Sequence, residues 1–508
     1  MVFVRQKPNK SGSISVQLIS KSTGRYRVVK TIGNASTDYE VAVLVQKARQ
    51  EMDYFEGKVS LFADEQDTWI EGYLGNLSNS QVHVIGPELI FGKIYDAIGF
   101  GQIQEELFRH LVITRLYHPG SKLKTIDYLE RFCGIHKSVD EIYRFMDKLN
   151  SYYKEQVENI SFAHTRRILS GRISIVFYDM TTLHFEASDE DDLRKMGFSK
   201  EGRHKQPQIY LGLLVGLEGF AIGYDIFEGN IFEGHTLIPV LQKFEKRFSL
   251  KKPIVVADAG LLTEENIELL QNNNYRYIIG ARIKNESKGV KNKILAKQWK
   301  DGQYFNIRKN KDTNLIVSYS AKRAAKDEHN RKRGLMRLEK SLKKGRLTKS
   351  HINNKGYNKY LKLEGELTIE IDYKKFNADK QWDGLKGYIT NTKLSPQQVI
   401  KNYKHLWQIE KAFRISKTDL KIRPVYHYLK HRIEGHICIA FAAYAVYKEL
   451  ERVLKKEKSS LSVERAAELT RNMYQLNIVL PKSKHHKSIP LRMDPEQTHL
   501  CQIVLKYF

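Results

Sequence analysis

Cysteine is scarce: Cys133, Cys438 and Cys501 are the only three in 508 residues, far apart and with no Cys-x-x-Cys pair. That excludes a zinc ribbon and a disulfide-stapled secreted scaffold, and it suits a reducing, intracellular compartment. Long apolar runs are missing too. The longest uncharged one, Ile437 to Tyr447, is too short to span a bilayer. The opening MVFVRQKPNKSGS carries no apolar signal core, so no membrane or secretory segment is expected. No internal repeat or low-complexity tract occurs. Acidic residues are in deficit, 58 against 85 Lys and Arg, which leaves a formal net charge of +27. A surface that basic repels itself unless it meets a polyanion, so nucleic acid or an anionic membrane surface is the expected partner. What is plentiful is core-forming material: 41% hydrophobic and 11% aromatic residues exclude a mostly disordered chain.

Period-two alternation in SISVQLI and RYRVVKTIG predicts a basic β-hairpin unit over residues 1–35. Three- and four-residue apolar steps predict a helical region over 36–165, broken at Pro119-Gly120 and suited to presenting a helix to a DNA groove. From 166 to 284 the texture is that of a mixed α/β sheet with helices on its faces. ISIVFYD is a buried strand ending at Asp179. QIYLGLLVG and GFAIGYDIF form a hairpin through Leu217-Glu218-Gly219, and PIVVADAG is a second buried strand ending at Asp258. Residues 285–390 read as a basic, β-rich insertion. Within it, Lys322 to Lys362 holds 15 Lys/Arg against Asp327, Glu328 and Glu339, a net of +12. Such a run is either a solvated face or a phosphate-contacting surface; beside predicted strands in so basic a chain, the second is favoured. Residues 391–455 return to the core, and 456–508 form a C-terminal segment available for a dimer contact.

Ser395-Pro396-Gln397-Gln398 is a strong helix start, with an N-cap, a proline at the first position and a capping box. The helix expected from there puts Tyr403, Leu406, Trp407, Glu410, Arg414 and Lys417 on one inward face. A Glu410–Arg414 pair at i, i+4 is the plain explanation for its charges. The other is convergence of Glu410 with Asp179 and Asp258 on a pair of divalent cations, for which all-oxygen ligands suit magnesium and no Cys/His set suggests zinc. Glu186, Asp189, Glu190, Asp191 and Asp192 lack the glycine and spacing of an EF-hand and read as a solvated loop. Asp225 and Glu228 are expected at a surface turn, or as supporting neighbours behind the acids.

At these residues the chain resembles a DDE transposase of a bacterial insertion sequence, in the branch with a β-rich insertion before the glutamate. That branch carries a Tyr–x2–Arg–x3–Glu–x6–Lys signature, which Tyr403, Glu410 and Lys417 match in spacing. Leu406 stands where the arginine belongs, and Arg414 is a candidate substitute. The resemblance extends to YDMTTLHFE, GFSKEGRHKQPQIYLGLLV, the Gly229–Thr236 segment and VVADAGL, and covers roughly residues 85–450. It implies a ribonuclease H-like catalytic core and Asp179, Asp258 and Glu410 as ligands of two Mg2+ ions, with Mn2+ able to substitute. It also implies a cytoplasmic, nucleoid-associated protein that works as a homodimer on double-stranded DNA, pairing transposon ends and joining them to a target.

By the same resemblance Tyr403 and Lys417 contact phosphates near the cut. Trp382 is placed to stack on an extruded base, the alternative being a core tryptophan of the insertion. Lys340, Lys343, Lys344 and Arg346 would track DNA, with Arg203, His204 and Lys205 adding phosphate contacts. A metal-dependent nuclease on the same fold, or an inactive DNA-binding remnant, are the alternatives.

Overall fold

The computed structural model describes residues 2–21, 24–55, 65–186, 189–199, 206–249, 251–261, 263–353, 356–364, 368–480 and 483–508. Strands β1 (Val2–Pro8), β2 (Ile14–Ser20) and β3 (Arg27–Ala35) pair as an antiparallel meander. Helix α1 (Asp38–Phe55) brings Val41 and Ala48 onto Val16, Leu18 and Ala35 of that sheet. With α2 (Glu65–Leu74) it completes a separate unit, Met1–Gln81, so the basic strands carry a helical cover instead of ending at residue 35.

The second unit is Val82–Phe508. It opens with β4 (Val82–Val84), α3 (Lys93–Ile98), α4 (Glu106–Tyr117), α5 (Lys122–Tyr128), α6 (Val139–Lys148) and α7 (Lys154–Ile168). The break between α4 and α5 falls at Pro119-Gly120, and Ser138 starts α6 with a full capping box to Glu141. The main sheet then begins with β5 (Ile175–His184), β6 (Gln208–Val215) and β7 (Ala221–Glu228), all antiparallel neighbours. After α8 (Leu237–Phe248) comes β8 (Ile254–Ala257), and after α9 (Glu264–Asn272) comes β9 (Arg276–Ala281), both running parallel to β5.

Residues 285–390 are less of an interruption than their composition suggests. Three strands, β10 (Tyr304–Arg308), β11 (Asn314–Tyr319) and β14 (Leu385–Thr390), follow α10 (Lys288–Leu295) and extend the same sheet. Its order is β10-β11-β14-β9-β8-β5-β6-β7. The basic stretch is largely one long helix, α11 (Ala321–Lys343), capped by Ser320. A small hairpin of β12 (Leu361–Glu364) and β13 (Thr368–Ile371), followed by α12 (Tyr373–Ala378), packs with α11 around Leu338, Tyr360 and Phe376.

Helices cover both faces of the sheet. Leu237, Leu241 and Phe244 of α8 and Leu270 of α9 pack on one face with Val176, Tyr178, Val255 and Ala257. On the other, Phe177, Val256 and Ile278 meet α13 (Pro396–Lys404), α14 (Trp407–Arg414) and α15 (Lys430–Lys456). The apolar run Ile437–Tyr447 is the buried middle of α15, and no helix among the described residues is long and apolar enough to cross a membrane. The chain closes with α16 (Val463–Thr470), β15 (Tyr474–Val479), β16 (His486–Pro490) and α17 (Pro495–Tyr507). β15 pairs with β4, and Leu500, Ile503 and Val504 of α17 join the core of this unit.

Candidate active site

Side chains alternate across a strand, so register decides which acids can meet. Tyr178 of β5 pairs with Ala257 of β8 in parallel, which makes Asp179 and Asp258 the next residues of adjoining strands. Tyr178 and Ala257 face the α8–α9 core, so both aspartates project to the opposite face, where α13 and α14 pack. Asp258 follows directly on the last residue of β8. β5 does not end at Asp179, contrary to the sequence expectation; it continues to His184 on its β6 partner, and only the pairing with β8 stops at Tyr178.

The expected single helix after Ser395 is two. Ser395 and Gln398 form the predicted capping box, but the helix breaks at His405-Leu406 between α13 and α14, and a π turn covers Ile415–Asp419. The break and the π turn divide the expected face. Tyr403 and Leu406 are buried, Trp407 and Glu410 open onto a cleft, and Arg414 and Lys417 do not line it. Among the described residues no ion pair joins Glu410 to Arg414.

That cleft has a volume of about 540 Å3 and brings together Asp258, Tyr403, Glu410, Trp407, Lys386 and Arg323. Tyr403, only 3% exposed, donates its hydroxyl to Asp258 Oδ1 at 2.9 Å, and its ring meets that of Tyr388 edge-on at 4.9 Å between centroids. Burial and the Asp258 charge push the phenol well above its ordinary range, so it remains a donor. Gly280 of β9 makes room for this contact: a Cβ there would stand 2.5 Å from the Tyr403 hydroxyl oxygen and 3.1 Å from the Ala259 nitrogen.

Lys386, next to the start of β14, lies with its ammonium 4.4 Å from the centroid of the Tyr403 ring. Burial and Arg323 lower its pKa against the opposing pull of Asp258 and Glu410. Sequence reasoning missed it. The available signal was a lysine inside the otherwise buried LKGYIT. Leu406 is 7% exposed at the helix break, and Arg323 at the start of α11 brings a guanidinium to the cleft. The donors present are carboxylate oxygens, which suit a hard divalent cation. Among the described residues no three Asp, Glu, His or Cys side chains stand close enough to hold one ion. Like-charged carboxylates repel, and here Asp258 is engaged by Tyr403.

The sequence profile described as "Transposase DDE domain" matches residues 170–446, more than half of the chain, and spans both aspartates and Glu410. The chain belongs to the DDE transposase family. No curated protein matches it. Among solved structures, a piggyBac transposase synaptic complex with hairpin DNA is similar at 9% identity, over 76% of each chain, with a TM-score of 0.37. A Mos1 transposase paired-end complex with the left transposon end is similar at 12% identity, over 37% of this chain and 57% of that one, with a TM-score of 0.16.

Other expected positions of the DDE chain lie outside the cleft. Lys340 and Lys343 sit at the end of α11 with Lys344 and Arg346 just beyond, all on the protein surface. Trp382 is half-buried against the core of the α8 face. Arg203, His204 and Lys205 lie outside the described residues. Of the competing acids, Asp225 pairs with Lys243 at 3.0 Å, and Asp191 accepts from the Leu193 and Arg194 amides and the Arg194 side chain.

Proposed function

We propose that this DDE transposase acts on double-stranded DNA, binding the inverted repeats of an insertion sequence, cleaving at their ends and joining the freed 3′ ends to a target. The observation that carries the reading is the adjoining register of Asp179 and Asp258 on the face packed by the Glu410 helix, within the matched family region. On this reading the sheet from β7 to β9 is a ribonuclease H-like core. Asp179, Asp258 and Glu410 would hold two Mg2+ ions, whose chemistry when bound is to lower the cost of forming the attacking oxyanion and to steady the leaving one.

The chain's own residues do the rest. Tyr403 orients the Asp258 carboxylate, and Lys386 and Arg323 place positive charge in the cleft, where a scissile phosphate needs it. The cations at the end of α11 hold flanking DNA, and a homodimer brings two ends together. Asp258→Asn or Glu410→Gln is expected to lower cleavage of an end-bearing duplex by about a thousandfold or more while end binding stays within about threefold. Cleavage at the wild-type rate by either variant contradicts the assignment.

A further inference from the structure

A second cavity, of about 500 Å3, lies where the loop leaving the Glu410 helix meets α4, α5, α6 and α15. Arg115, Lys122, Tyr143, Tyr426, His427 and His436 are among its walls. Its charge is one-sided. Lys122 is 6% exposed and Arg115 4%, and among the described residues no carboxylate lines the cavity. Among the described residues Arg115 reaches only the carbonyls of Leu420 and Lys421, each at 3.4 Å. The Lys122 side chain makes no hydrogen bond or ion pair among the described residues, and burial, with the like charge of Arg115, pushes its pKa well below the usual lysine range. An ammonium buried this way is costly unless it meets an anion.

Two histidines complete the wall. Burial and the charges of Lys122, Arg432 and Arg115 lower His427 to about 3, so it is neutral and retains an N–H to donate. His436, likewise held neutral by burial and by Lys122, meets the Ile422 carbonyl at 2.9 Å through Nε2. At the rim Lys124 and Lys421 are exposed, and Tyr426 is 57% exposed.

We propose that the Arg115–Lys122 cavity is a phosphate-binding site separate from the carboxylate cleft. The Arg115 guanidinium, an unpaired lysine whose protonation an arriving anion favours, and the His427 N–H match a phosphate's charge and its several acceptor oxygens. The volume exceeds that of one phosphate and leaves room for an attached sugar. An exposed aromatic and two exposed lysines among the lining residues suit a nucleic-acid strand better than a free ion. The assignment to a strand rests on the transposase reading; the assignment to phosphate does not.

The test uses the full-length protein, without metal and without any cleavage readout. Inorganic phosphate and a short single-stranded oligonucleotide with a 5′-phosphate are titrated by calorimetry into wild type and Lys122→Met. Wild type is expected to bind both, in competition with each other, and Lys122→Met to weaken each at least tenfold. Without ligand the variant should melt no lower than wild type, since it loses an unpaired buried charge. Should the variant fail to fold, phosphate should still slow acetylation of Lys122 by acetic anhydride in wild type, read by peptide mass spectrometry. Phosphate binding that depends on Lys122, without oligonucleotide binding, supports the site and assigns it to a free anion. Phosphate binding unaffected by Lys122→Met, or no binding and no protection, overturns the proposal. Loss of cleavage in the carboxylate variants has no bearing on these outcomes.

Discussion

The hydroxyl of Tyr403 donates to Asp258 Oδ1 at 2.9 Å, and the residue beneath that contact is Gly280, which has no Cβ to obstruct it. A helix that arrives late in the chain is thereby tied to the end of a central strand. Tyr403→Phe is expected to lower cleavage about 10–100-fold, chiefly by raising the Mg2+ concentration required, with end binding unchanged in the absence of metal. Gly280→Ala should reproduce the effect by driving the hydroxyl away. Weaker end binding with an unaltered metal requirement would instead assign Tyr403 to a DNA contact.

Lys340, Lys343, Lys344 and Arg346 cluster at one end of α11, and among the described residues none has an ion-pair partner. Replacing all four by alanine should flatten the dependence of log K on log salt by about 0.9 for each phosphate that is no longer neutralised. An unchanged slope in a filter-binding or fluorescence titration would make this end of the helix a solvated surface.

Glu449 of α15 is 2% exposed beside His164 and Arg452. Burial alone would raise its pKa, but the hydrogen bonds and charge of Arg452, with His164 beside it, hold it at about 2. Because the folded value lies below the unfolded one, its contribution is present above about pH 4.5 and is lost as pH falls towards 2, on the order of 3 kcal/mol in all. Glu449→Gln should flatten the acid limb of stability measured by denaturant unfolding. An identical limb in the variant would contradict the linkage.

Local signals served the fold where local physics decides it. The apolar runs before Asp179 and Asp258, the turn between β6 and β7, the helix start at Ser395 and the family resemblance could all be read from the residues alone. What could not be read depends on distant partners. Nothing local to β10, β11 or β14 says that they extend the main sheet, because their pairing is set by β9. The helix pattern runs through His405-Leu406 without a Pro or Gly to mark the break, which serves to bury Leu406 while Glu410 stays open. Lys122 looks in sequence like an ordinary solvated lysine, and Lys386 stands out only as a lysine inside an apolar strand. Only tertiary packing sets one in the carboxylate cleft and buries the other with Arg115.

Joining of DNA ends through Asp179, Asp258 and Glu410 is the activity proposed for this chain. Its most direct test is a strand-transfer assay with purified protein, Mg2+, a labelled duplex carrying the element's own end, and a supercoiled target plasmid, with wild type and Glu410→Gln run side by side. Labelled joined products that require both Mg2+ and Glu410 are expected. Cut ends that never join would indicate a nuclease, and joined products from the Glu410→Gln protein would contradict the site itself.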